Sequence, residues 1–193
     1  MMRTTHLFQA AAIAGSTVAL AAMPARAQTT DPALQQMYLA GTAPIACVIN
    51  PPRVTNAQNA SFSANGAGNG QVTITQLVDG QTALALASSI ELDFPVVCNA
   101  SHSVVLTSAN GGLQGGGASV TGSGFSNFLS YRVQVDWAGV QIAKSSDAGA
   151  TTINSADPAQ GDMVIRLSTP AGDGPLVAGQ YSDSIVVQFT PAS

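Results

Sequence analysis

Few residues of this chain could perform nucleophilic or acid–base chemistry: the thiols of Cys47 and Cys98, the imidazole of His102 and the hydroxyl of Ser101. A hydrolase needs a Ser or Cys whose proton is taken by a nearby base that a third group orients. His102 stands at the start of a predicted strand that continues through Val104 and Leu106, where we expect a surface residue. No Gly-x-Ser-x-Gly turn occurs around any serine. The sequence therefore predicts no enzyme.

The carboxylates and the glycine-rich segments offer no clearer site. Glu91 and Asp93 are two residues apart on a predicted strand, and we expect them on its solvent face rather than as the paired acids of a glycosidase. Asp157 and Asp162 do not follow the spacing of a calcium loop. The run Gly115–Gly124 lacks a Gly-Lys-Ser/Thr motif and a following helix, which predicts a flexible loop rather than a phosphate site. We expect no catalytic residue, no cofactor and no metal.

Cys47 and Cys98 are the only cysteines in the sequence, and they are 51 positions apart. In an oxidising compartment such a pair is expected to form a disulfide. Closing a loop of that length would stabilise the fold by about 4 kcal/mol on the chain-entropy estimate. A metal site or a reactive thiol is the alternative, but the sequence has no Cys-x-x-Cys motif and no nearby histidine pair to favour it.

Two further patterns have both a structural and a functional interpretation. Trp137 ends an alternating strand and shares a face with Tyr131, which favours core packing over a platform for stacking sugars. Asn59-Ala60-Ser61 and Asn99-Ala100-Ser101 match the glycosylation sequon, a triplet that also occurs often by chance.

The N-terminus has the features of a secretory signal peptide over residues 1–27. Arg3 supplies a positive charge, an apolar stretch runs from Leu7 to Ala22, and Ala25-Arg26-Ala27 is a small-x-small cleavage signal. The apolar stretch is too short for a convincing membrane span, and no later segment approaches the roughly 20 apolar residues that one needs. We therefore expect a secreted protein with no membrane span in the mature chain.

The charge balance argues against nucleic acid as a partner. Removal of Arg3 and Arg26 from the six basic residues leaves four against ten acidic ones, a net charge near −6. Nucleic acids and anionic membranes attract clustered Lys and Arg, whereas the four remaining basic residues are scattered. They are Arg53, Arg132, Lys144 and Arg166.

From residue 47 to residue 193 the apolar side chains recur at period two, which predicts short strands and an all-β sandwich. The clearest half-buried strand runs from Ser130 to Trp137. The last strand places Ile185, Val187 and Phe189 on one face, and an apolar strand at an open sheet edge invites another chain to add a strand. These three residues are the predicted assembly groove.

The segment 28–46, which precedes the first cysteine, is predicted to be an extended N-terminal arm and a candidate donor strand. One face of an extended arm carries Met37, Leu39 and Gly41, and the other carries Leu34, Tyr38 and Ala40. A short helix over Pro32–Ala40 and an unstructured leader are the alternatives.

The predicted signal peptide and arm are followed by four short motifs in a characteristic order. The motifs are Ile45-Ala46-Cys47-Val48, Val96-Val97-Cys98-Asn99, Leu129-Ser130-Tyr131-Arg132-Val133 and Ala178-Gly179-Gln180-Tyr181-Ser182-Asp183. Together with the arm they resemble the spore coat protein U-like domain, which belongs with the pilin subunits of archaic chaperone-usher pili.

The resemblance implies an incomplete immunoglobulin-like sandwich that lacks its final strand. A periplasmic chaperone completes such a domain first, and the arm of the next subunit then completes it in the fibre. The implied partners are this chaperone, an outer-membrane usher and neighbouring pilus subunits, and the implied location is the periplasm in transit, then the cell surface or fimbrium. The alternative functions are a self-contained carbohydrate-binding sandwich and a hydrolase whose site the sequence does not reveal.

Overall fold

The computed structural model describes residues 35–66, 68–117, 124–172 and 174–192. The predicted signal peptide and the first residues of the arm lie outside these ranges. The chain divides into a unit that ends at Gly41 and a second unit that begins at Thr42. In the first unit, residues 35–41 form neither helix nor strand, so the short helix considered for Pro32–Ala40 is wrong for its described part.

The second unit is built from antiparallel strands, which confirms the all-β prediction. In chain order they are β1 (Cys47–Ile49), β2 (Arg53–Gln58), β3 (Ala60–Gly66), β4 (Asn69–Ile74), β5 (Ser88–Cys98), β6 (His102–Ser108), β7 (Leu113–Gly115), β8 (Phe128–Leu129), β9 (Arg132–Trp137), β10 (Val140–Ser145), β11 (Thr151–Ser155), β12 (Ala159–Thr169), β13 (Tyr181–Ser182) and β14 (Ile185–Pro191). One 3₁₀ turn, Ser146–Ala148, follows β10. In the part of the chain described here, no helix has the length and apolar character that crossing a membrane requires.

The larger sheet has the order β1-β5-β12-β9-β10, and β2 pairs with the half of β5 that β1 leaves free. β5 and β12 are its longest strands and pair over their full length. Their alternating pattern explains this central position: Ile90 and Leu92 of β5 are buried, as are Met163 and Ile165 of β12. Most of the alternate residues that point to the opposite face are polar, as expected of a sheet with one face on the core.

A second sheet has the order β11-β6-β14 and packs against the larger one. Buried residues from both sheets form one hydrophobic core. Its members are Val96, Cys98, Val104, Leu106, Tyr131, Val133, Val135, Trp137, Ile153, Met163 and Ile165. The prediction of a sandwich is therefore confirmed.

Smaller pieces complete the second unit. The strands β7, β8 and β13 form a three-stranded sheet, and β3 pairs with β4 in a hairpin. A separate small core of Ala85, Leu129 and Leu176 lies beneath the loops around the three-stranded sheet. Gly112 has to be glycine there, because a Cβ at this position would lie 2.5 Å from the Phe128 ring.

Candidate functional site

The two cysteines form the predicted disulfide. Cys47 and Cys98 are register partners in β1 and β5, with their Cα atoms 4.1 Å apart. Cys98 is buried and Cys47 is half-buried. The sulfurs and a ring nitrogen of His102 all lie within 4.8 Å of one another. Because the sulfurs are bonded to each other, they have no thiolate with which to bind a metal.

His102 is not the surface residue that we expected. Its side chain is 2% exposed, its Nδ1 lies 2.9 Å from the carbonyl oxygen of Ala100, and its Nε2 accepts a hydrogen bond of 2.8 Å from Nε1 of Trp137. This arrangement selects the neutral tautomer that carries its proton on Nδ1. Both nitrogens have partners, so His102 has a structural role in the core.

The sequence contained a signal for this burial. His102, Val104 and Leu106 are spaced two residues apart along β6, so their side chains lie on the same face of the strand. All three face the core. The polarity of the imidazole suggested a surface position, but the indole of Trp137 and a backbone carbonyl satisfy it inside the protein.

Trp137 and Tyr131 are core residues, as their alternation predicted. They are 3% and 7% exposed, which leaves no aromatic face for stacking a sugar. The hydroxyl of Tyr131 donates a hydrogen bond of 2.6 Å to Oδ2 of Asp183.

Asp183 is the centre of a hydrogen-bond network that the sequence analysis missed. Its Oδ2 also accepts from the hydroxyl of Ser108 at 2.5 Å, and its Oδ1 accepts from the backbone N–H groups of Asn110 and Ser184 at 2.9 and 2.8 Å. Burial alone would raise the pKa of Asp183, but these hydrogen bonds from Ser108, Tyr131 and the backbone together hold that pKa below its usual value. The network joins β6 and the residue that precedes β9 to the turn between β13 and β14.

β14 has the alternation that was predicted for the assembly groove. Ile185, Val187 and Phe189 are half-buried and pack against the core, whereas the intervening Val186 is 58% exposed. The ring of Phe189 lies edge-on to Trp137, with 6.0 Å between the ring centroids, and is stacked on His102 at 6.2 Å. The last strand therefore contacts the aromatic part of the core directly.

The outer edge of β14 has no strand partner among the described residues. β14 pairs with β6 along one edge, and no backbone hydrogen bond within the described ranges engages the other. β1, at the edge of the larger sheet, comes close to β14 without forming a ladder with it. The two sheets thus present two neighbouring edges that are not joined.

Apolar side chains lie along both of these edges. Ile49 of β1 is the register partner of Val96, which is 1% exposed, so the two share the core-facing side, yet Ile49 is 43% exposed. Ile49 and the half-buried face of β14, Ile185, Val187 and Phe189, are called the edge groove below. The three predicted groove residues are thus found together, and β1 adds a fourth.

The candidate donor arm is described only from residue 35. Met37 is 89% exposed and Leu39 is 102% exposed, and no atom lies within 4 Å of the position of a Cβ on Gly41. The neighbouring Tyr38 is 85% exposed. From residue 35 to residue 41, neither face of the arm is therefore buried.

Two of the remaining polar candidates, Glu91 and Asp162, take part in structural contacts. Glu91 is paired with Arg166 and also accepts from the hydroxyl of Thr55 at 3.0 Å, and these contacts hold the pKa of Glu91 below its usual value. A carboxylate stabilised in its ionised form is unsuited to act as a general acid. Asp162 forms an ion pair of 2.7 Å with Arg53.

Both sequon asparagines use their amides within the fold. Asn99 donates to the carbonyl of Pro44 at 2.7 Å and accepts from the N–H of Ala46 at 2.8 Å, which fixes the segment entering β1. Asn59 donates to the carbonyl of Gln76 at 2.7 Å. These contacts explain the two asparagines structurally.

Comparison with known proteins adds no name to this geometry: no family model, no curated protein and no solved structure matches the chain.

Proposed function

We propose that this chain is a structural subunit of a secreted fibre of the chaperone-usher type, which assembles when one subunit accepts an extended segment from another at the edge groove. The observation that carries the proposal is the outer edge of β14, which pairs with no other described residue and lies beside half-buried apolar side chains. On this proposal the chain has no catalytic role, and a periplasmic chaperone, an outer-membrane usher and neighbouring subunits are its partners.

An added strand would both pair with the backbone of this edge and cover its apolar side chains. Its backbone would pair with the free N–H and C=O groups of β14, while alternate side chains would cover Ile185, Val187 and Phe189. Full burial of a side chain of this size contributes about 1.5–3 kcal/mol relative to exposure. Each half-buried residue of the groove therefore gains stability when a strand covers it.

The arm has the composition that such a strand requires. Met37 and Leu39 are two residues apart, so in an extended conformation they point to the same side, and both are exposed. Gly41 would occupy the next position on the same side as Met37 and Leu39, and because it has no side chain it requires no pocket in the groove. The arm therefore offers large apolar side chains at the spacing that the groove can receive.

Insertion of a strand between β1 and β14 requires these two edges to separate. Paired strands lie about 4.8 Å apart, so a strand between two others holds them roughly 9.6 Å apart. Cα atoms of β1 and β14 approach within 8 Å in the present structure. We expect β1 to shift, because its ladder to β5 covers only three residues, while the disulfide and the contacts of Asn99 with the segment entering β1 keep it attached to β5.

A synthetic peptide spanning Ala33–Ala46 tests the proposal. Peptide at about 100 times its Kd should stabilise the fold by about 2.7 kcal/mol, which for a domain of this size raises the melting temperature by roughly 5–10 °C. The fluorescence of Trp137, the only tryptophan, should change as well, because it contacts Phe189 of the groove.

Matched variants distinguish groove binding from general association. The substitution Val187→Asp places a charge in the groove and should abolish the peptide effect, whereas Gln188→Asp places the same charge on the opposite, exposed face and should preserve it. A peptide with Leu39→Asp should also fail. A protein that remains a stable monomer at high concentration and ignores the peptide would instead be a self-contained binding module.

A further inference from the structure

Arg132 differs from the other basic residues that the structure describes. Three of the four are engaged by protein groups: Arg53 pairs with Asp162, Arg166 pairs with Glu91, and Nζ of Lys144 donates to the carbonyl oxygen of Ala150 at 3.0 Å. Arg132 has no ion pair and no side-chain hydrogen bond within the described ranges. Its side chain is exposed on the outer face of β9.

Arg132 lines an open surface cavity of about 330 Å³ at the start of β9. Ser145 of β10 and Ser168 of β12 are the register partners of Arg132, so the three side chains share one face. The complete lining is Ser130, Tyr131, Arg132, Ser145, Ser168, Thr169 and Pro170. No carboxylate belongs to it, although the protein as a whole is acidic, with a net charge of −4.

The hydroxyls of the cavity are available for a ligand. The side chains of Ser130, Ser145 and Ser168 have no hydrogen-bond partner among the residues described, whereas Thr169 bonds to Ser88 at 2.8 Å. Each serine hydroxyl can donate one hydrogen bond and accept others. The cavity therefore combines one cation with three free donor–acceptor groups.

We propose that this cavity binds an acidic saccharide through its carboxylate. A guanidinium matches a carboxylate with two parallel hydrogen bonds, and serine hydroxyls match the alternating donors and acceptors of sugar hydroxyls. The volume is at the lower end of the range for small-molecule pockets, which suits one or two units of a longer saccharide whose remaining units extend into solvent. None of the edge-groove residues lines the cavity, so binding there is independent of strand addition.

Isothermal titration calorimetry of the purified protein with trigalacturonate, neutral galactotriose and glutarate tests this site. Trigalacturonate should bind with one site per chain, and both other probes should bind at least about tenfold more weakly, a difference of about 1.4 kcal/mol. Arg132→Gln should weaken trigalacturonate binding by about tenfold or more. Arg53→Gln removes the same charge from the same sheet outside the cavity and should leave the affinity unchanged.

Three results would overturn the proposal. The first is no saturable heat with trigalacturonate at about 10 mM, where even millimolar affinity is measurable. The second is an equal loss of affinity in Arg53→Gln, which would show attraction by overall charge. The third is glutarate binding as tightly as trigalacturonate, which would show that the cavity recognises a carboxylate, such as that of an acidic peptide, without recognising a sugar.

Discussion

Removal of a single hydroxyl, in Tyr131→Phe, should destabilise the domain measurably. The ring of Tyr131 is 7% exposed, and its hydroxyl lies 2.6 Å from Oδ2 of Asp183. A hydrogen bond to a charged group contributes about 1.5–3 kcal/mol. Because phenylalanine preserves the packing of the ring, we expect the free energy of unfolding to fall by about this amount at neutral pH.

The assay is urea unfolding monitored by the fluorescence of Trp137, with Tyr38→Phe as the matched control. Tyr38 is 85% exposed, so loss of its hydroxyl should leave the unfolding midpoint unchanged. A double-mutant cycle with Asp183→Ala should show strong coupling between the two sites, because both changes remove the same hydrogen bond. If Tyr131→Phe lowers the free energy of unfolding by less than about 0.5 kcal/mol, a stabilising role for this network is refuted, because substitutions on the protein surface commonly change that free energy by as much.

The pH dependence provides a second check on the same network. Because the pKa of Asp183 is lowered in the fold, its ionisation contributes stability above the unfolded pKa of about 3.9, and that contribution is lost as pH falls through the folded value. Burial raises the pKa of Tyr131, so its contribution is complete below about pH 10 and declines as pH rises further. The cost of Tyr131→Phe should therefore be largest near neutral pH and shrink in acid and in alkali. A cost independent of pH from 2 to 11 would contradict this account.

Three further outcomes are expected. Alkylation without reductant should leave Cys47 and Cys98 unlabelled, and a variant with Ser at Cys47 should unfold at lower urea, with a loss of up to about 4 kcal/mol; labelling of both thiols would contradict the bond. His102→Leu should cost about 1–3 kcal/mol, because it leaves the buried N–H of Trp137 without an acceptor, and the cost should largely vanish in a Trp137→Phe background. Deletion of residues 28–41 should give subunits that bind the arm peptide but do not extend fibres, as measured by electron microscopy; fibres of unchanged length would show that the arm has no assembly role.

Much of the fold followed from local sequence pattern. Period-two alternation places side chains on alternate faces of a strand wherever that strand pairs, so the burial of Tyr131 and Trp137 and the half-buried face of β14 could be predicted without knowledge of the neighbouring strands. The disulfide followed from the number of cysteines, because a chain with two cysteines offers only one intramolecular pairing.

The partners of individual side chains depended on register and on sheet order, which alternation does not encode. Alternation along β6 places His102 on the core side, and Asp183 lies in the turn between β13 and β14, but only the tertiary structure supplies the indole that satisfies the imidazole and the hydroxyls that stabilise the carboxylate. Polar residues are buried where such partners meet them, since an unsatisfied polar group in the core is costly. The sequence does not show which partners a polar side chain will meet. The sequence analysis therefore predicted a surface position for His102 and overlooked Asp183.

The open edges were likewise a property of the tertiary structure. The sequence determined that β14 has an apolar face, and the packing of the two sheets decided that this strand, within the described ranges, pairs on one side only and lies next to β1. The cavity at Arg132 depends partly on folding in the same way, because the hairpin of β9 and β10 places Ser145 on one side of the arginine, whereas the more distant strand β12 brings Ser168 to the other. Side chains that are neighbours across paired strands can belong to separate parts of the chain, so folding is what brings them into contact.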